Sequence, residues 1–154
     1  MRLARIISGG QTGVDLAALD AALAAGFPCG GWVPRGRCNE DGPLDPRYPV
    51  KETDSRKLAR RTEMNVRDSD ATLILSRGAL SGGSALTEKL AQRHAKPCLH
   101  VDLGALSPEE AIERTRSWLA GIDGTVLNIA GPRCSSDAEV YALARRVIEA
   151  LISS

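Results

Sequence analysis

Three stretches of this sequence combine glycine with hydroxyl and guanidinium side chains, the residue types that grip an anion through backbone amides and positive charge. The first is Ser8-Gly9-Gly10-Gln11-Thr12-Gly13. The second is Ser76-Arg77-Gly78-Ala79-Leu80-Ser81-Gly82-Gly83-Ser84, with Thr87 and Glu88 one helical turn further on. The third is Asn128-Ile129-Ala130-Gly131-Pro132-Arg133-Cys134-Ser135. Glycine lets the backbone approach a phosphate closely and adopt positive φ, and the Ser8 and Thr12 hydroxyls can donate to phosphate oxygens. The same glycines would equally permit a tight strand-to-helix turn that binds nothing. Arg77 and Arg133 are candidate phosphate clamps, or solvated loop residues. Arg35-Gly36-Arg37 adds guanidinium groups that would either close over a ligand or form a solvated basic turn. Asn128, polar in an apolar run, reads as a satisfied buried amide or as a ligand contact, and Asp15 as a helix cap or a ligand contact. For acid or nucleophile chemistry the candidates are Glu63 and Glu88, each of which also reads as a helix-surface or salt-bridge residue.

What is missing narrows the chemistry. The glycine spacing matches neither GxGxxG nor the Walker pattern with its lysine. Cys29, Cys38, Cys98 and Cys134 are widely spaced and accompanied by only two histidines, whereas a structural zinc site usually needs close ligand pairs, so no metal ligands are expected. Cys29 and Cys98 sit in apolar strand-like runs, where a thiol behaves as a small hydrophobe, while Cys38 and Cys134 fall in polar loops and are the ones placed to react.

These turns need strands to lead into them and helices to lead out. Strand-like and helix-like runs alternate from end to end, the pattern of a doubly wound α/β fold: a mostly parallel sheet with helices on both faces. Strands are predicted at 3–8, near 29–33, and at 71–75, 98–102 and 125–130. Helices are predicted from Gly13 to a stop at Gly26, near 55–67, over 81–95, from Ser107, and from Ser136 to near the end. Ser107-Pro108-Glu109-Glu110 supplies an N-cap serine, a proline at the first helical position and a capping-box glutamate, and Ser136-Asp137-Ala138-Glu139 repeats the serine and glutamate. The strand over 71–75 is wholly apolar and is expected to be central. The segment 34–53, rich in Pro, Gly, Asp and Arg, is long for a connection inside a compact domain and is expected to be a functional loop.

In such a sheet, ligands bind beyond the carboxyl ends of the strands, which is where all three glycine-bearing turns fall. The 154 residues suit one domain, 1–154. The apolar residues are mostly Ala, Leu, Val and Ile, with two Trp, two Tyr and one Phe, so the core should be aliphatic. A formal charge of +1 generates no field to gather nucleic acid or an anionic membrane surface, so neither is an expected partner. No run reaches the ~18 apolar residues of a membrane span, and no signal-type apolar region precedes Leu3, which points to the cytoplasm. Trp32 and Trp118 suit core or interface.

Several blocks taken together resemble a known family. Ser8-Gly-Gly-Gln-Thr-Gly-Val-Asp15, Gly30-Gly-Trp-Val-Pro-Arg-Gly-Arg37 with Glu40-Asp41-Gly42, Arg61-Thr-Glu-Met-Asn-Val-Arg-Asp-Ser-Asp70 and Leu80-Ser-Gly-Gly-Ser84 are similar to the molybdenum cofactor carrier family. That family is a circularly permuted branch of the YpsA-like proteins within the SLOG group of Rossmann-like domains. The resemblance spans Ile6 to Arg133. It implies a Rossmann-like sheet, a homodimer or homotetramer, and a phosphate-bearing ligand held at the glycine-rich turns. The ligand it implies is molybdenum cofactor (molybdopterin), with a nucleotide phosphate as the alternative. The candidate binding residues, from the turns themselves and from this resemblance together, are Ser8, Gly9, Gly10, Gln11, Thr12, Gly13, Arg35, Arg77, Gly82, Gly83, Ser84, Thr87, Asn128, Gly131 and Arg133.

The wider group also contains enzymes that release a base from a nucleoside monophosphate, with a signature similar to PGGxGTxxE, and a nucleotide-processing enzyme or nucleotide sensor is the alternative function. Gly82-Gly83 fits the start of that signature. Leu80-Ser81 replaces the proline, Ala85 and Leu86 stand where glycine and threonine would be, and Lys89 takes the place of the glutamate. Glu88 is one position out of register, a rotation of roughly 100° on a helix.

Overall fold

The computed structural model describes residues 1–153. Its elements in chain order are β1 (Arg5–Ile7), α1 (Val14–Ala24), β2 (Cys29–Gly30), β3 (Trp32–Val33), β4 (Cys38–Asn39), β5 (Gly42–Pro43), β6 (Lys51–Glu52), α2 (Leu58–Arg67), β7 (Ala71–Ser76), α3 (Gly82–Arg93), β8 (Cys98–Asp102), α4 (Pro108–Ala120), β9 (Val126–Ala130) and α5 (Val140–Ile152). Five strands form a parallel sheet in the order β2-β1-β9-β7-β8. This is the Rossmann-like α/β arrangement expected from the alternating pattern.

Strand β7 is buried at all six positions, as a strand covered on both faces must be, and its run of Ala, Thr, Leu, Ile and Leu supplies the branched side chains for it. It is an interior strand, but the middle place belongs to β9. Leu73 and Leu75 of β7 join Leu127 and Ile129 of β9 and Val101 of β8 in the larger core, against α1, α4 and α5. A smaller cluster joins α2 and α3 through Val66, Leu90 and Ala91, with Cys98 packed against it.

Helix α1 is apolar almost all round, and the reason lies in what covers it. Ala17, Ala18 and Ala21 face the main core, while Leu19 meets Val33, Leu44, Tyr48 and Val50 of the segment that follows β2. A helix with two buried faces has no need of a polar stripe. Asp20 serves as a polar anchor, accepting from Tyr48 Oη at 2.6 Å and from Tyr141 Oη at 2.5 Å. The 34–53 segment is therefore ordered. It contains an antiparallel ribbon, β4–β5, and strand β6, which pairs with β3 just before the segment, and Arg37 secures it by donating to the carbonyls of Val50, Asp45 and Tyr48.

The single strand expected near 29–33 is in fact two. The chain leaves the main sheet at Gly31, whose φ of 126° and position against Ser8 would put a Cβ 2.2 Å from the Ser8 carbonyl oxygen, a place only glycine can occupy. Two helix starts also differ. Helix α2 begins at Leu58, and α5 begins at Val140, not at Ser136. The expected capping box at 136–139 does not form, because Asp137 is engaged by Arg77 and Glu139 makes no side-chain cap. The Ser107 box does form, with Ser107 Oγ accepting from the Glu110 N–H.

Candidate functional site

The carboxyl ends of β7 and β9 open into a pocket of about 290 Å³. All three glycine-bearing turns contribute to its wall, the first through Gln11, the second through Ser76, Arg77 and 79–84, and the third through 130–133. Of the residues expected to bind, Gln11, Arg77, Gly82, Gly83, Ser84, Thr87, Gly131 and Arg133 line it.

The most open feature is the start of α3. Gly82 and Gly83 are its first two residues, so their N–H groups have no intrahelical acceptor, and a Cβ added to either would meet nothing within 4 Å. Both residues stand at the positive end of a helix dipole and line the pocket. Ser84 and Thr87 follow on the same wall, both buried. The Thr87 hydroxyl donates back to the Gly83 carbonyl at 2.8 Å and so braces the turn.

The first turn behaves differently. Ser8 is fully buried and its hydroxyl donates to the Ile129 carbonyl at 2.7 Å. The Thr12 hydroxyl donates to Glu40 and accepts from the Cys134 N–H at 3.0 Å. Neither hydroxyl is turned to the pocket, contrary to the phosphate-donor role expected of them. The glycines here serve packing. Gly9 lies against Arg61 and Asp15, Gly10 against Val33 and Leu44, and Gly13, at φ 80°, against the backbone of Pro132 and Arg133. Gly131 does similar work while lining the pocket, since a Cβ there would sit 2.2 Å from the Leu75 carbonyl oxygen. Asn128 takes the buried-amide reading, donating to Thr72 Oγ1 at 3.2 Å.

The expected arginine clamps divide. Arg77 is held by two carboxylates, donating to both oxygens of Asp137 at 2.7 and 2.6 Å and to Glu139 at 3.0 Å, so its charge is already compensated. Its guanidinium in turn holds the Asp137 carboxyl below the usual carboxylate range. Arg133 remains half-exposed on the pocket rim, with a loose ion pair to Glu40 at 3.8 Å. Arg35 is exposed and does not line the pocket. Glu63 and Glu88 also lie outside it. Glu63 pairs with Arg60 at 3.5 Å and meets His94 at 3.3 Å. Glu88 acts on Cys98, at the amino end of β8, where burial first and this charge second push the thiol up to about 11.

Asp15, read from the sequence as a cap or a ligand contact, and Arg61, not itself a ligand candidate, complete the wall. Asp15 and Arg61 form a buried pair at 3.8 Å. Burial raises the Asp15 carboxyl, and the Arg61 guanidinium partly offsets this. Arg61 Nε is a buried side-chain nitrogen with no hydrogen-bond partner among the described residues. Only the family resemblance singled out the Arg61 block, because a helical arginine among other charges has no local signature. Glu40 is the other residue not expected at the site. Its carboxylate receives the Thr12 hydroxyl, the Ser135 N–H at 3.1 Å and the Ser135 hydroxyl at 2.5 Å. These bonds, Ser135 first and Thr12 second, hold its carboxyl below the ordinary value. The β4–β5 ribbon thereby clasps the first and third turns together.

Residues 6–152 match the family described as circularly permutated YpsA SLOG. The chain belongs to that family. A crystal structure at 1.45 Å of a protein from Syntrophus aciditrophicus SB, named "Putative molybdenum carrier protein", shares 48% sequence identity, superposes with a TM-score of 0.95, and is matched over 97% of this chain and 95% of that one. No curated protein matches the chain. Among the described residues of this family member, no helix is long and apolar enough to cross a membrane.

Proposed function

We propose that this protein binds and carries molybdenum cofactor, seating the phosphate of the pterin on the Gly82 and Gly83 amides with Arg133 as the mobile counter-charge. One observation carries the reading: the first two residues of α3, with open space where a Cβ would lie, and a half-exposed arginine line one pocket of about 290 Å³. Amide groups at a helix N-terminus and a guanidinium are the two devices that hold a phosphate without a metal ligand from the protein. The name of the Syntrophus relative, at 48% identity over nearly the whole chain, supports molybdenum cofactor over a nucleotide. The nucleoside-monophosphate hydrolase alternative gains nothing from the geometry, because Glu63 and Glu88 both stand outside the pocket.

Native mass spectrometry of freshly purified protein tests the proposal and reads the subunit number in the same spectrum, where a homodimer or homotetramer is expected. Molybdopterin should be retained by the wild type and by Gly10→Ala in proportion to its folded fraction, and lost in Gly83→Val, whose branched side chain would fill the space over the amides. Retention by folded Gly83→Val at wild-type level would refute this seat for the phosphate.

A further inference from the structure

We infer that Ser76 and His100 form a nucleophile and general-base pair, which gives the pocket an ester-cleaving activity separate from any carrier role. Ser76 is the last residue of β7 and lines the pocket. Its Oγ lies 2.6 Å from His100 Nε2, on the neighbouring strand β8. That is the reach a base needs to take a hydroxyl proton. The register explains the meeting. Ser76 pairs with Asp102 and Ile74 with His100, so His100 sits diagonally across from Ser76 on the same face of the sheet. Asp102, two residues along β8, shares that face. Its carboxylate accepts the N–H groups of Gly78 and Gly104, both at 2.8 Å, which pins the loop leaving Ser76 and puts a negative charge near the imidazolium that proton transfer creates.

The remaining requirement is a place for the developing oxyanion, and Gly82 and Gly83, whose N–H groups precede the first intrahelical bonds of α3, line the same pocket as Ser76. Preorganised backbone donors of this kind stabilise a tetrahedral intermediate. The substrate class is a small carboxylic ester, since attack on its carbonyl develops one negative charge on one oxygen, within what two adjacent amides can receive. Ser76 Oγ bonds to the carbonyl carbon as His100 Nε2 takes its proton, and the carbonyl π pair moves onto oxygen. The intermediate then collapses, the alcohol leaves with the proton from His100, and an acyl-serine remains. Water attacks that ester, losing a proton to His100, and collapse releases the acid and returns the proton to Ser76. The Ser76 hydroxyl has one proton and a second acceptor, the Gly78 carbonyl at 3.0 Å. The shorter contact, to His100 Nε2 at 2.6 Å, is the one the attack uses.

An alkyl fluorophosphonate tests the pair directly, because the serine displaces fluoride and keeps a stable phosphonyl mass. Full-length protein treated with the probe should gain one adduct, mapped by peptide sequencing to Ser76. His100→Gln keeps a hydrogen-bonding side chain without a base and should slow labelling about 100-fold, with folding checked by circular dichroism. Hydrolysis of p-nitrophenyl acetate should fall in parallel. Ser76→Ala should take no label; should that variant not fold, the peptide map and His100→Gln carry the test. An adduct elsewhere, no adduct on folded wild type, or labelling of folded His100→Gln within a factor of about three of wild type would overturn the inference.

Discussion

Gly13→Ala tests whether the site depends on two turns meeting backbone to backbone. Gly13 precedes α1 with φ 80° and ψ −127°, a region that non-glycine residues enter at a cost of about 1–3 kcal/mol. A Cβ there would also lie 2.3 Å from the Pro132 carbonyl oxygen and 3.0 Å from Arg133 Cα. That oxygen accepts the Val14 N–H at 3.3 Å, and Cys134 is tied to Thr12, so the third turn has no free direction in which to yield. Overpacking of this kind adds another ~1–3 kcal/mol. The sum, about 2–6 kcal/mol, is a large share of the ~5–15 kcal/mol that stabilises an ordinary domain, and corresponds to a melting point lower by roughly 4–24 °C. Urea unfolding followed by circular dichroism measures it, with Gly83→Ala as the internal control. At Gly83 the added Cβ meets nothing within 4 Å, and alanine improves the helix by up to ~1 kcal/mol. Gly13→Ala within about 1 kcal/mol of wild type would show that the turns do not constrain each other.

Asn65 closes two bonds on one peptide, accepting the Trp32 N–H at 2.8 Å and donating to the Trp32 carbonyl at 3.0 Å. Asn65→Ala should cost roughly 2–4 kcal/mol by leaving both groups unpaired, read as a lower urea midpoint. The thiols should separate in an Ellman assay at pH 8, the exposed Cys38 reacting in the folded protein and Cys98, pushed up to about 11 by burial and then by Glu88, only on unfolding. Acid should weaken the fold. Glu40 is held below its ordinary value by Ser135 and Thr12, Asp102 by the Gly78 and Gly104 amides, and Asp137 by Arg77. Each binds fewer protons folded than unfolded, so its contribution is complete above about pH 5 and is lost as pH falls through the folded value. Asp15, raised by burial, works the other way, contributing at low pH and less as pH rises through its folded value. Asp68, Asp70 and Glu110 are depressed as well, so with Asp15 the only raised carboxyl among the described residues the urea midpoint should fall between about pH 5 and pH 3, and Asp137→Asn should flatten that fall; a midpoint that rises on acidification would contradict the assignment.

How far the sequence could be read follows from the range of each signal. Alternation of apolar runs is local, so β7, α3, β8 and β9 were legible from their own residues, and the Ser107 box announced α4 within four positions. The site was legible as turns but not as side-chain partners. Ser8, Thr12 and Arg77 have the right chemistry for phosphate, yet their partners are Ile129, Glu40 and Asp137, at separations of 121, 28 and 60 residues, beyond any local pattern. The same limit hid the Ser76–His100 contact, which needs the β7–β8 register, and the break of the 29–33 run at Gly31, which is imposed by Ser8. Asp137 illustrates the competition. Its segment has the composition of a helix start, and a bidentate arginine from another turn takes the carboxylate first.

The pairing of charges shapes what the pocket can hold. Arg77 is matched by Asp137 and Glu139, and Arg61 by Asp15, so two of the three guanidinium groups on the wall contribute little net field to an incoming anion. What remains is dipolar and short-ranged, the Gly82 and Gly83 amides, together with Arg133, whose 3.8 Å contact with Glu40 a phosphate can replace. Dipoles lose strength within a turn of helix and are effective only at contact, so such a pocket selects by fit and not by long-range attraction. The Glu40 ribbon makes this exchange consequential. Its carboxylate binds Thr12 and Ser135 at the same time as it attracts Arg133, so a ligand that draws Arg133 inward relieves one charge on Glu40 while leaving the clasp between the first and third turns closed. Binding and release can then proceed by movement of one side chain over a backbone frame that stays in place, as the proposed carrier role requires.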